Sequence, residues 1–268
     1  MGEVLGHQVS GPAAVTGADW AQRLRARMDG LAICYDEKAP ERLARYHAML
    51  AEWNGKMNLT GDTDFETSLD RHYADSLAPL GIDGLFTRGI TLIDVGSGAG
   101  FPGLPLAIAR PDLRVTLLDS LKKRLTFLSA VVEALGLANV RLVHARAEDG
   151  GRDASHRERY DVAVARAVAP LPVLCELLLP FVRVGGRMVC YKGPAAEDEL
   201  LAGGKAARLL GGGGLESIPV VLPAQPDWRH CVLVAKKNQE TVRQYPRKAG
   251  MPCRMPLGGF DTNRGLKE

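Results

Sequence analysis

The sequence predicts a doubly wound α/β fold built on a seven-stranded, mostly parallel sheet, and three observations support this class. Seven short runs rich in aliphatic and β-branched residues alternate with helical segments after Arg88, which is typical of βαβ units. A glycine-rich turn follows the first run. The last two runs lie too close together for a parallel crossover. The seven runs span 90–95, 114–119, 140–145, 160–165, 186–192, 217–222 and 231–236.

The connection between the last two runs is a short loop that contains the sequence PAQPDW. A parallel pair needs a connection of about a dozen residues or more, so one of these strands should run antiparallel at an edge of the sheet. The glycine-rich stretch at 203–214 lies between sheet elements. We interpret it as a flexible surface loop, because no strand leads directly into it as a phosphate-binding turn requires.

Helical spacing precedes the sheet, after a segment at 1–17 that mixes Gly, Pro and Ser without periodicity. Pro40 fits the first turn of one helix, and Thr63–Glu66 matches the Ser/Thr-x-x-Glu capping box that opens another. The predicted organisation is a flexible leader at 1–17, a helical extension at 18–86, a core at 87–237 and a basic flexible tail at 238–268.

The composition is that of an ordinary globular chain, since 46% of its 268 residues are hydrophobic and 24% are charged. Its five cysteines are odd in number and form no Cys-x-x-Cys pair, so we expect neither a disulfide framework nor a metal site. The sequence contains no signal-peptide pattern and no apolar stretch of about eighteen residues. We therefore expect a cytoplasmic monomer with no membrane partner.

A glycine turn, LIDVGSGAGFPG at 92–103, joins the first predicted strand to a helix and is the strongest chemical signal in the chain. The missing side chains let backbone N–H groups approach a ligand closely. A dinucleotide fingerprint would use Gly96 and Gly98 and then require glycine where Phe101 stands. The turn instead suits the methionine part and sulfonium of S-adenosylmethionine, with Asp94 near the positive charge. A structural turn and a dinucleotide site remain alternatives.

Further candidates follow the ends of later strands, at the edge where open α/β sheets bind ligands. Asp119 lies about twenty residues beyond the glycine turn, where an acid grips a ribose diol in such folds; a helix N-cap is the alternative. Ala147 and Glu148 suit an adenine amino edge, with a solvated acidic loop as the alternative. Arg166 ends the fourth strand at the same edge.

These residues lie within long segments that resemble one known family. The segments are EWNGKMNLTG, RHYADSL, LIDVGSGAGFPGLPLAIARPDLRVTLLDSLKKRLTFL, ARAED, ARAVAPL, GGRMVCYKG and RHCVLVAKK, between about residue 41 and about residue 238. The chain thus resembles the ribosomal RNA small subunit methyltransferase G family, also called the glucose-inhibited division protein B family. The resemblance implies a Rossmann-like class I fold that uses S-adenosylmethionine to methylate N7 of a guanosine in the decoding-region loop of 16S rRNA.

The resemblance also implies cofactor contacts at Gly96, Phe101, Ala147, Glu148 and Arg166. The neutral guanine base carries a lone pair and no proton at N7, so we assign no general base and expect catalysis by positioning. Arg166 suits the methionine carboxylate or a phosphate rather than N7, because a cation there would oppose the positive charge that arrives on the base.

Contacts to the substrate are predicted at three further residues. Arg71 and His72 lie on a helix that could project over the mouth of the pocket toward RNA, with a helix-surface network as the alternative. Lys192 ends the fifth strand and suits a phosphate, unless it is simply solvated. The implied partner is 16S rRNA or a small ribosomal subunit particle. Two rival functions remain open, a small-molecule methyltransferase and a non-enzymatic nucleotide-binding interaction protein.

The net charge of +3 is unevenly distributed. Residues 236–268 carry eight basic and three acidic side chains, a net +5 that leaves −2 for the remainder. This segment includes YPRKAGMPCRMPLG, which resembles a C-terminal extension of some family members. Because it is rich in Gly and Pro, we predict a mobile basic arm at 238–268 that contacts RNA phosphates. An extension without a role and a strap folded on the body are the alternatives.

Overall fold

The fold was obtained as a computed structural model, which describes residues 17–61, 63–166 and 169–259. The leader predicted at 1–17 lies outside these residues except for Gly17, which begins the first helix. The helices are α1 Gly17–Gly30, α2 Ala39–Met57, α3 Phe65–Ser68, α4 Asp75–Leu77, α5 Gly103–Ala109, α6 Lys122–Leu135, α7 Ala147–Gly150, α8 Leu171–Leu178, α9 Leu200–Leu209 and α10 Met251–Arg254. The strands are β1 Thr91–Val95, β2 Arg114–Asp119, β3 Val140–His144, β4 Tyr160–Arg166, β5 Val182–Lys192, β6 Gly212–Pro219 and β7 Cys231–Lys237.

Seven strands form one sheet in the order β3-β2-β1-β4-β5-β7-β6, as the number of runs predicted, although β6 spans Gly212–Pro219 rather than the predicted 217–222. Strands β1 to β5 pair in parallel, whereas β7 pairs antiparallel with both β5 and β6. The predicted antiparallel strand is confirmed, but its predicted place at the edge is wrong. The short loop folds β7 back beside β6, and β7 fills the space between β5 and β6, so that β6 forms the edge.

Two hydrophobic layers cover the faces of the sheet. Alternate residues of a strand point to opposite faces, so Leu92 of β1 packs with the layer that contains α1, α2, α5 and α6, while Ile93 packs with the layer that contains α8 and α9. The N-terminal helices therefore share a continuous core with one face of the sheet. Buried Tyr46 and Tyr73 lie at the centre of this shared core.

The helical segment before β1 differs from the prediction at its start and in its interior. The prediction that Thr63 caps the helix is wrong. Helix α3 begins one residue later than predicted, at Phe65, and Oδ2 of Asp64 accepts the backbone N–H of Thr67 at 3.0 Å. After α3 the chain passes through a π-helical turn, Leu69–Ala74, before α4 and a 3-10 turn at Ala78–Gly81. Pro40 lies in the first turn of α2, as predicted.

The glycine-rich stretch at 203–214 is not the flexible loop that we predicted, since it contains most of α9 and the start of β6. Its glycines permit close packing instead. A Cβ atom at Gly203 would lie 2.4 Å from Cδ2 of Leu171, and one at Gly211 would lie 2.2 Å from the carbonyl oxygen of Gln239. Glycine is therefore needed where α9 packs on its neighbours.

The prediction of a mobile arm at 238–268 is wrong over residues 238–259, which we call the C-terminal strap. Arg152 Nε donates to the carbonyl of Pro246 at 2.7 Å, and Arg157 Nη1 donates to that of Tyr245 at 2.8 Å. Gly258, with φ of +80°, lies so close to α9 that a Cβ would meet the carbonyl oxygen of Ala202 at 2.2 Å. The strap alternative describes this part of the chain, and 260–268 lie outside the described residues.

None of the helices in the described part of the chain is long and apolar enough to cross a membrane. Within the same ranges, no group of three or more His, Cys, Asp or Glu side chains is arranged to hold a metal ion.

Candidate active site

A cavity of about 930 Å³ opens at the carboxyl ends of the parallel strands, where β1 to β5 deliver their following loops. Ten of the residues predicted to contact cofactor or substrate line this cavity. They are Arg71, His72, Gly96, Gly98, Phe101, Asp119, Ala147, Glu148, Arg166 and Lys192. The structure thus brings together side chains that are separated by more than one hundred residues in sequence.

The glycine turn forms the floor of the cavity. Gly96 and Gly98 have φ of +77° and +58°, values that residues with a side chain rarely adopt. A Cβ at Gly98 would meet only the carbonyl oxygen of Gly96, at 3.9 Å, so the backbone there is open to a ligand. Ser97 also lines the cavity, and its buried Oγ has no hydrogen-bond partner among the described residues. An unpaired hydroxyl in this position fits a site for a polar ligand.

Asp119 holds the glycine turn in place while it lines the cavity. Its Oδ2 accepts the N–H of Gly98 at 2.9 Å, and its Oδ1 accepts the N–H of Leu121 at 2.8 Å, just before α6. Arg124 Nη1 lies 3.4 Å from Oδ2. The carboxylate is therefore part of the structural support for both the turn and the next helix, as well as a candidate for the ribose contact.

Asp94, which was predicted to lie near the positive charge of the cofactor, is not among the residues that line the cavity. Its fully buried carboxyl lies beneath the turn, where Oδ2 accepts the N–H of Gly103 at 2.9 Å and thereby fixes the start of α5. Oδ1 has no hydrogen-bond partner in the described part of the chain. Burial disfavours the charged form and raises the pKa of Asp94 from 3.8 to about 7.

We expect Asp94→Asn to change how the free energy of unfolding depends on pH. A carboxyl whose pKa is higher in the folded state binds its proton more tightly there, so protonated Asp94 stabilises the folded state. This stabilisation is present at low pH and is lost as the pH rises from 3.8 to about 7. Asparagine can still accept from Gly103 and does not titrate. Urea unfolding of both proteins from pH 4 to pH 8 should show wild type losing stability relative to the variant, and parallel curves would contradict the assignment.

Glu148 is buried, follows β3 and lines the cavity. Its Oε1 accepts the N–H of Gly250 from the C-terminal strap at 2.8 Å. The alternative of a solvated acidic loop therefore does not describe Glu148, although Asp149 beside it is exposed. Ala147 precedes it at the start of α7 and also lines the cavity.

Arg166 connects the end of β4 to the helical segment at 71–76. Its Nη1 donates to the carbonyls of Arg71 and His72 at 3.1 and 3.3 Å, and it lies 3.3 Å from Oδ2 of buried Asp75. The guanidinium carbon lies 4.9 Å from the centre of the Phe101 ring, on which His72 also stacks. These contacts fix the cation between the cofactor edge and the predicted substrate helix.

Lys192 is held rather than freely solvated. Its Nζ donates to Oε2 of Glu199 at 2.7 Å and to the carbonyl of Ala169 at 3.1 Å. The side chain is only 14% exposed. The ammonium group therefore has a fixed position at the rim of the cavity. An anion that binds it there would also lie close to the carboxylate of Glu199.

Trp228 and His230 line the cavity and were not among the predicted site residues. Trp228 Nε1 and His230 Nδ1 both contact Oδ1 of Asp75, at 3.2 and 3.1 Å, and their rings lie 4.2 Å apart. One signal could have identified them. Because β7 runs antiparallel, its first residue, Cys231, pairs with Lys192 at the end of β5, so the loop before β7 must reach the ligand edge.

The sheet order with its reversed last strand, together with the glycine-turn cavity at its carboxyl edge, defines a class I methyltransferase. The same fold occurs in a methyltransferase from Haloferax volcanii that was solved in complex with a methyltransferase activator. The two chains superpose with a TM-score of 0.50 at 13% identity, over 71% of this chain and 98% of that one. At such low identity the likeness shows the fold alone.

Sequence comparison identifies the family. The family model for rRNA small subunit methyltransferase G matches residues 39–226. A relative of that name from Alkaliphilus metalliredigens is 47% identical over 222 residues, which cover 83% of this chain and 92% of the relative. One from Lactobacillus helveticus is 47% identical over 222 residues, or 82% and 92% of the two chains. The chain belongs to the rRNA small subunit methyltransferase G family, which confirms the predicted resemblance.

Proposed function

We propose that the protein transfers a methyl group from S-adenosylmethionine to N7 of a guanosine in the decoding-region loop of 16S rRNA, in the cytoplasm. One observation carries this proposal: the glycine turn and the basic residues of the substrate helix line the same cavity, of about 930 Å³. Pockets for small ligands span roughly 300–1,000 Å³, so this one is large enough for a cofactor and part of a second molecule. Family membership supports an RNA acceptor over the two rival functions.

The lining of the cavity fits the cofactor. The open backbone at Gly98 and the unpaired Oγ of Ser97 offer polar contacts to an aminoacyl group, while Asp119 and Glu148 offer carboxylates to a ribose and an adenine. When bound, S-adenosylmethionine supplies an electrophilic methyl group on a sulfonium. The residues assigned to hold it are Gly96, Gly98, Phe101, Asp119, Ala147, Glu148 and Arg166.

The acceptor side is built to position a base. Arg166 binds the carbonyls of Arg71 and His72, so the helix that carries these basic side chains is tied to the cofactor edge. Asp75, Trp228 and His230 form a hydrogen-bonded cluster on the same side. Orienting the base and excluding water supply much of the rate enhancement when no proton must be removed.

The proposal is tested by incubating the protein with radiolabelled S-adenosylmethionine and, in parallel, small ribosomal subunits, naked 16S rRNA, bulk protein and a metabolite extract. Label should enter RNA, and borohydride and aniline treatment should cleave the labelled strand at one guanosine. Label in metabolites alone would favour a small-molecule enzyme, and no transfer with intact cofactor binding would favour a non-enzymatic role. The comparison of subunits with naked rRNA also identifies the preferred partner.

We expect the single-turnover rate to be nearly constant across neutral pH, because N7 carries no proton and no tuned base is required. Quench-flow measurements from pH 6 to pH 9 in overlapping buffers test this. Asp94→Asn is the control, since Asp94 titrates in this range but lies beneath the turn. A tenfold rise in rate for each pH unit, present in both proteins, would contradict N7 as the acceptor.

A further inference from the structure

The C-terminal strap, residues 238–259, is attached to the core at both ends. At its start, the N–H of Thr241 donates to Oε1 of Glu158 at 2.7 Å, and its Oγ1 donates to the carbonyl of Leu210 at 2.7 Å. At its end, Gly258 packs directly on Ala202 of α9. The segment between these points is therefore held against the core at both ends.

The strongest attachment lies between these ends. Arg247 points its guanidinium at Glu176 of α8, with Nε 2.9 Å from Oε1 and 3.1 Å from Oε2, and its Nη2 also donates to Oε2. Its backbone N–H donates to Oε1 at 2.8 Å. Glu176 is 0% exposed, so its charge is compensated chiefly by this one residue of the strap.

Two residues just beyond Arg247 connect the strap to the cavity, one through a lining residue and one as a lining residue itself. The N–H of Gly250 holds Oε1 of Glu148 at 2.8 Å and so fixes the direction of that carboxylate. Cys253, on α10, is itself part of the cavity wall. Leu177, the neighbour of Glu176 on α8, lines the same wall. The arginine anchor, the glycine contact and the wall residue are therefore consecutive features of one short segment.

We propose that the C-terminal strap forms a wall of the nucleoside end of the cofactor cavity, and that its docking through Arg247 is thermodynamically coupled to cofactor binding. This inference rests on the proposed function, because it assigns the end near Ala147 and Glu148 to the adenine. Arg247 acts as a positioning residue, through Gly250 and Cys253. Such coupling is reciprocal. If the docked strap raises the affinity for a nucleoside by some factor, the bound nucleoside raises the docking equilibrium of the strap by the same factor.

The test compares Arg247→Ala with Arg243→Ala, which removes an equal charge from an exposed position in the same strap. Calorimetry with S-adenosylhomocysteine should show a dissociation constant about tenfold higher for Arg247→Ala, within the roughly 5- to 150-fold range of such couplings, and an unchanged one for Arg243→Ala. The loss of affinity should be equally large for 5′-methylthioadenosine, which has the nucleoside but lacks the amino-acid part. A strap that only stabilises the fold would lower the melting temperature of Arg247→Ala and leave both dissociation constants unchanged.

A second measurement on the wild-type protein requires no variant and applies even if Arg247→Ala fails to fold. Hydrogen–deuterium exchange of the amides at 245–255 should slow when S-adenosylhomocysteine is added, by about the coupling factor. Exchange that does not respond to bound ligand would overturn the proposal. If the wild type binds no S-adenosylhomocysteine and labels no RNA, the proposed function itself fails. Normal binding and labelling without coupling contradict only the role of the strap.

Discussion

Replacing Arg166 by alanine should lower the single-turnover rate of methyl transfer at least a hundredfold and also destabilise the fold. Its Nη1 donates to the carbonyls of Arg71 and His72 and lies 3.3 Å from the carboxylate of Asp75, which is almost fully buried. Removing one member of a buried ion pair leaves an uncompensated charge and costs about 3–5 kcal/mol. A hundredfold loss of rate corresponds to about 2.7 kcal/mol of transition-state stabilisation.

A second substitution separates the two effects. Asp75→Asn in the Arg166→Ala background removes the unpaired charge while Trp228 and His230 keep an acceptor. The double variant should regain much of its stability in urea unfolding and none of its activity, whether subunits or naked rRNA serve as acceptor. Arg45→Ala, an exposed arginine on α2, is the charge-matched control. A rate for Arg166→Ala within twofold of wild type would show that this cation has no part in positioning.

Gly103→Ala should destabilise the protein by about 3 kcal/mol or prevent folding. A Cβ at this position would lie 2.4 Å from Cδ2 of Leu117 and 2.7 Å from Oδ2 of Asp94, and both side chains are fully buried. Overpacking of this kind costs roughly 1–3 kcal/mol. The clash also displaces the hydrogen bond between Gly103 and the buried Asp94, which adds about 1–2 kcal/mol.

Gly55→Ala is the matched control, since Gly55 is exposed on α2 and a Cβ there meets nothing within 4 Å. Alanine should stabilise a helix interior by about 0.5–1 kcal/mol relative to glycine. Urea unfolding thus compares two Gly→Ala substitutions, one of which should lower the free energy of unfolding while the other should raise it. If both variants unfold at the wild-type midpoint, the packing at the start of α5 is looser than the structure shows.

The sheet and most of the site were predictable because both depend on local pattern. Strands buried on both faces, such as Thr91–Val95 and Tyr160–Arg166, produce mostly apolar runs that are recognisable from the sequence of the strand alone. Parallel strands deliver their carboxyl ends to one edge, so Asp119 and Glu148 were expected to meet there, and the structure places both on one cavity.

The remaining features depend on partners that are distant in sequence. Arg247 looks like a mobile basic residue until Glu176 is placed beside it, 71 positions away. Gly203 and Gly211 have the composition of a loop, yet glycine serves equally for flexibility and for close packing. Asp94 precedes the glycine turn, but its direction depends on strand alternation, which points it beneath the turn rather than into the cavity.

The position of β7 between β5 and β6 has a consequence for how the protein is made. During synthesis from the N-terminus, β5 and β6 both leave the ribosome before the strand that joins them, so each has an unpaired edge until Cys231–Lys237 emerges. Unpaired edges are templates for aggregation. Trp228, His230 and Cys253 are made even later than β6, so a nascent chain has no complete cavity. The cavity is therefore complete only after Cys253 has been translated.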